Sequence, residues 1–128
     1  MERLHQTREE AIKWHRKMWA EMGIIEGDDC LFTDRISFKK RYIQENFPGV
    51  YVLNDCFLCN YALEKAYDNL KEKFGLIDLD DAHKYMCKYC PLKWGDIEDF
   101  FDCEYSNISW IYNQCSLIAG LEERTDNI

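Results

Sequence analysis

Residues Ala11, Ile12, His15, Met18, Trp19 and Met22 recur at three- and four-residue steps, the spacing of one face of a helix. Thr7-Arg8-Glu9-Glu10 ahead of them has the S/T-x-x-E form of a capping box, and Gly23 reads as the stop. Lys13, Arg16 and Lys17 fall on the wetter side. Gly27-Asp28-Asp29 reads as a turn. A second helix is predicted through residues 37–43, capped by Thr33 or Asp34 and ending before Pro48.

Val50-Tyr51-Val52-Leu53 is β-branched and aromatic, which suits a short strand. Asn54 and Asp55 then offer a cap for a long helix from Cys56 to Phe74, with Ala62, Leu63, Ala66, Leu70 and Phe74 on its apolar face and Gly75 behind it. A helical turn capped by Asp80 or Asp81 is expected between Asp78 and Tyr89, followed by a loop over residues 90–95. Ile108, Ile111, Cys115, Ile118 and Leu121 mark a last helix from Ser106 or Asn107 to Glu123. The reading is a mostly α single domain over residues 1–128, with at most a short β element.

The chemistry lies in two CxxC pairs, Cys56-Phe57-Leu58-Cys59 and Cys87-Lys88-Tyr89-Cys90. Four thiolates suit one tetrahedral zinc ion, so Cys56, Cys59, Cys87 and Cys90 are the predicted metal ligands and the fold is expected to be organised around a four-cysteine zinc site. Cysteines at i and i+3 in the first turn of a helix share a side, and the helix N-terminus favours their thiolates. The 27 residues between the pairs exceed the familiar zinc-ribbon spacing, and an inserted helix accounts for the difference. A helix to Phe74 carries the chain roughly 28 Å away at 1.5 Å per residue, so the return to Cys87 should be largely extended, or the helix should break early.

Iron–sulfur, redox and buried-thiol readings compete with zinc. Cys103 and His83 are alternative ligands. Cys30 and Cys115 read as small buried apolar residues. No His follows either pair, so haem attachment finds no support.

Charge narrows the function. The net charge is −8, and residues 1–74 carry 12 Lys/Arg against 13 Asp/Glu while residues 75–128 carry 4 against 11. Such a second half repels phosphate backbones and attracts basic surfaces. Asp96, Glu98, Asp99, Asp102 and Glu104 crowd around Phe100-Phe101. They read either as a solvated acidic loop or as a partner-binding surface for a basic protein groove. Arg35 to Arg41, with Lys39 and Lys40 between, is the wet face of a helix or a phosphate contact.

No run is long and apolar enough to span a bilayer, and the N-terminus lacks a signal-peptide core, so a cytosol with reduced thiols is expected. H-E-x-x-H, Gly-rich phosphate loops, G-x-S-x-G and the deaminase H-x-E are all missing from the sequence, and a four-thiolate site leaves no position for a catalytic water. A non-enzymatic role is expected.

The run from Asn54 to Ala62, then Cys87-x-x-Cys90-Pro91-Leu92-x-Trp94-Gly95 and Cys103, resembles a family of small, mostly uncharacterised proteins of Firmicutes phages and prophages. The stretches around Arg8–Trp19 and Ile118–Arg124 are similar to that family's terminal helices, apart from Gly120-Leu121-Glu122, where the chain departs from its usual small-apolar ending. The resemblance implies a setting in the cytoplasm of a bacterial host. Small phage accessory proteins of this kind bind and inhibit or adapt a host protein. An anti-CRISPR or other anti-defence inhibitor is the expectation, with an immune effector carrying a basic groove as partner. The alternative is a zinc-stabilised nucleic-acid-binding module.

Overall fold

The computed structural model describes residues 2–27, 32–75, 78–93 and 115–127. The fold is mostly α. Among the described residues, two minimal strands and five helices follow in the order β1 (Glu2–Arg3), α1 (Arg8–Glu26), α2 (Phe32–Asn46), β2 (Val50–Tyr51), α3 (Phe57–Phe74), α4 (Leu79–Tyr85) and α5 (Cys115–Ala119). Short 3-10 turns at Leu53–Asp55 and Met86–Tyr89 precede α3 and follow α4.

Helix α1 is central and packs on α2, α3 and α5. It starts as its sequence predicts: Thr7 accepts from the Glu10 amide at 3.2 Å while Glu10 accepts from the Thr7 amide at 3.0 Å, a complete capping box. Gly23 does not stop it. The helix runs on to Glu26, and Gly27, at φ 93°, takes the positive dihedral that ends it. Helix α2 begins earlier than residues 37–43 suggest, which places Thr33 and Asp34 inside it rather than at its cap, and it ends before Pro48. The short strand at Val50 is present, and its partner is the N-terminus: Glu2 pairs with Val50 and Arg3 with Tyr51 in parallel.

Two cores form. The larger gathers Met18, Trp19 and Met22 of α1, Phe38, Tyr42 and Ile43 of α2, Phe57 and Leu58 of α3, and Cys115 and Ile118 of α5. Trp14, Phe47 and Phe57 meet edge-on at its margin. The smaller sits between α3 and α4, where Ala62, Leu63 and Ala66 meet Ala82 and Met86. Those alanines let the two helices approach closely.

The return from α3 is helical, and α3 does not break before Phe74; neither route expected from the distances is taken. Helix α4 is capped by Asp78, which accepts from the Asp81 amide, rather than by Asp80 or Asp81. The expected start of the last helix at Ser106 or Asn107, with Ile108 and Ile111, lies outside the described residues; α5 ends at Ala119, short of Glu123. The residues after Gly120 leave the helix, and Glu123 makes an antiparallel bridge to Leu92. No helix among the described residues is long and apolar enough to cross a membrane.

Candidate metal centre

Each CxxC pair occupies a defined local structure. Cys56 is itself the N-cap of α3, in extended backbone (φ −132°, ψ 114°), and its sulfur accepts from the Cys59 amide at 3.3 Å. Asn54 and Asp55, expected to cap this helix, instead form the preceding 3-10 turn with positive φ of 56° and 50°. Asn and Asp tolerate that region better than other side chains with a Cβ. The turn swings the chain so that a sulfur, not a carboxylate, faces the helix N-terminus. The second pair spans the other 3-10 turn: Cys87 lies within it, and Cys90 ends it with its amide donating to the Cys87 carbonyl at 3.3 Å. Pro91 follows and prevents continuation.

The pairs share a seam. Cys56 and Cys90 pack on the larger core, Cys59 and Cys87 on the smaller. The seam exists because the 3-10 turn packs along α3. Among the described residues, no three His, Cys, Asp or Glu side chains are gathered as a group able to hold a metal ion. In this structure the cysteines are two knuckles on one seam rather than one closed sphere.

The donor chemistry suits a thiophilic ion. The Cys56 thiol is pulled down to about 6, first by the hydrogen bond from the Cys59 side chain, against burial, which raises it; Lys39 and the amides of Cys59 and Leu58 add to the lowering. These contacts shift Cys56 toward the thiolate, the form that binds metal. Thiolates are the donors that zinc takes in tetrahedral sites, but the described residues do not gather three of them around one point.

Of the remaining predicted residues, His83 and Cys115 are among those described. His83 is exposed on α4, and Cys115 is fully buried in the larger core as a small apolar residue. Cys30, Cys103 and the acidic set Asp96, Glu98, Asp99, Asp102 and Glu104 lie outside the described residues.

Three buried polar groups beside the seam carry no mark in the sequence. Asn60 is fully buried one residue after Cys59; it donates to the Leu4 carbonyl at 2.6 Å and accepts from the Leu53 amide at 3.2 Å. Arg8 and Arg124, both buried, reach the second knuckle from α1 and from the C-terminal segment. Nothing in a lone Arg or Asn signals such a role before the segments are folded together.

A separate surface is open. Phe74 is 71% exposed, and Leu79 and Tyr85 are also exposed. Leu70, Phe74, Tyr85 and Tyr89 line a cleft of about 980 Å³ between the ends of α3 and α4, edged by Lys73, Lys84 and Lys88. Elsewhere, Lys13 and Lys17 lie over the Trp14 ring, Arg35 and Lys39 over Trp19, and Arg41 over Phe38, so α1 and α2 carry stacked cations. No protein-family model, no curated protein and no solved structure matches this chain.

Proposed function

We propose that this protein is a non-enzymatic, zinc-stabilised helical module of phage origin that acts in the bacterial cytoplasm by binding a host protein. In this reading Cys56, Cys59, Cys87 and Cys90 hold a structural zinc ion that fastens α3 to the turn before Pro91. The target is an immune effector, so the outcome is anti-CRISPR or other anti-defence inhibition. The observation that carries the binding part is the cleft with Phe74 at its lip. A large side chain 71% exposed in the lining of a cleft shared with exposed Tyr85 is an apolar surface of the kind that marks protein contacts. Leu70 and Tyr89 extend the patch into the cleft as a receptor for a partner's apolar side chain.

Affinity purification from a bacterial lysate, followed by mass spectrometry, tests this reading. A defined protein should be retained by the native chain and lost with Phe74→Ser. Retention of nucleic acid with no enriched protein contradicts it. The second reading, a nucleic-acid-binding module, is favoured by the cations of α1 and α2. It requires DNA or RNA binding that weakens steeply with salt.

A further inference from the structure

We propose that the cleft between the ends of α3 and α4 receives an acidic segment of the partner protein. One apolar side chain of that segment sits among the cleft's rings, and its carboxylates are met by Lys73, Lys84 and Lys88. This rests on the protein-contact reading above and names the chemistry of what binds there.

The cleft joins an apolar floor to a cationic rim. Leu70 and Tyr89 are half-buried in its lining, and Tyr89 packs against the smaller core, so the floor continues the interior of the fold. Phe74 and Tyr85 complete the apolar lining and are 71% and 45% exposed. One wall is α3; the other is α4 with the 3-10 turn after it, and both of these pack along α3. The cleft is therefore part of the folded scaffold, as binding sites usually are.

The charges say what the rings alone do not. Lys73, Lys84 and Lys88 are all exposed, and no ion pair among the described residues involves any of them. Lys88 holds its ammonium 5.3 Å from the centroid of the Tyr85 ring, which keeps that charge at the aromatic surface. Glu72 and Asp81 share the lining, so cations exceed anions there, three to two, in a chain whose net charge is −8. Helix ends account for part of this, since Lys73 lies in the last turn of α3 and Lys84 in that of α4. That role leaves the exposed rings unexplained. A nucleic acid is the poorer match, because its evenly spaced phosphates would meet Glu72 and Asp81 as well as the lysines. In a peptide the carboxylates steer the encounter and fix the register, while the apolar anchor supplies most of the affinity.

The test is fluorescence anisotropy of the native chain with three labelled synthetic peptides. In the first, glutamates flank a central tryptophan. The second replaces the glutamates with lysines, and the third replaces the tryptophan with alanine. The first should bind saturably and weaken as salt rises, and the others should bind about tenfold more weakly or not at all. Replacing the lysines together, by Lys73→Gln, Lys84→Gln and Lys88→Gln, should weaken the first peptide about tenfold and flatten its salt dependence. Phe74→Ser should weaken it as much. Circular dichroism checks that the helices survive these exposed changes, and the comparison of peptides needs no variant. No saturable binding, equal binding of acidic and basic peptides, or native affinity in the lysine variant overturns the proposal. So does a DNA oligonucleotide that binds more tightly than the acidic peptide and loses that affinity in the lysine variant. Capture from lysate separates the proposal from the reading beneath it. A partner lost with Phe74→Ser but kept by the lysine variant leaves the contact standing and overturns its acidic chemistry. A partner kept by both variants overturns the cleft as the contact, and the proposal with it.

Discussion

The amide of Cys59 donates to the sulfur of Cys56 at 3.3 Å, so a cysteine caps α3 where Ser, Thr, Asp or Asn is usual. Cap and metal ligand can therefore be separated by substitution. Cys56→Ser keeps a good capping side chain and removes a thiolate. It should lose metal, and the folding energy tied to it, while retaining the start of α3. Cys56→Ala should be less stable than Cys56→Ser by about 1 kcal/mol. Metal content and urea midpoints of the two variants check both statements.

His15 is fully buried on α1 and donates from Nε2 to the Ile118 carbonyl at 3.0 Å, joining α1 to α5. Burial pulls its pKa from 6.5 down to about 4; the bond to Ile118 opposes the shift, and Lys39 and Arg16 reinforce it. The folded state thus keeps a neutral imidazole where the unfolded chain takes up a proton. Stability is full above about pH 6.5, falls as pH drops toward about 4, and flattens below; the loss is on the order of 3 kcal/mol. Urea unfolding across this range should show that slope in the native chain, and His15→Met should remove it. An equal slope in both contradicts the assignment.

Asn60 ties three segments together by bonding Leu4 and Leu53 from within α3. Asn60→Ala leaves the half-buried Leu4 carbonyl and Leu53 amide without their partner. The expected cost is about 2–4 kcal/mol, since each such orphan costs about 1–3 kcal/mol. Denaturant titration measures it, and a loss under about 0.5 kcal/mol, the range of an ordinary surface change, refutes the role.

Phe74 makes the opposite prediction. With most of its ring in water, Phe74→Ser should change stability by no more than about 0.5 kcal/mol. The same change should abolish capture of the host partner if the cleft is the contact. Thermal melts and pull-down, run on one preparation, separate the two effects.

Local signals in this sequence are legible where one segment contains both partners of an interaction. Thr7 and Glu10 cap α1 as their spacing implies, and of the apolar face read on α3 Ala62, Leu63 and Ala66 are buried while Leu70 is half-buried and Phe74 is exposed. The errors occur where the outcome depends on a distant segment or a backbone dihedral. Gly23 reads as a stop, yet the glycine at positive φ is Gly27. Asn54 and Asp55 read as caps, yet the turn they form hands that place to Cys56. Strand β2 needs the N-terminus as its partner, with α1 and α2 lying between them, and alternation within Val50–Leu53 carries no trace of it. The cysteine pairs are visible from spacing alone. Arg8 and Arg124 are not, because a hydrogen bond to a carbonyl leaves no pattern in the donor's neighbours.

The most direct test of the zinc staple is elemental analysis of the natively purified chain, followed by circular dichroism as a strong chelator is added. Zinc equimolar with the chain, and loss of helical signal and of cooperative melting on its removal, is the result this account predicts. A metal-free chain that retains its full helical signal and stability would contradict it.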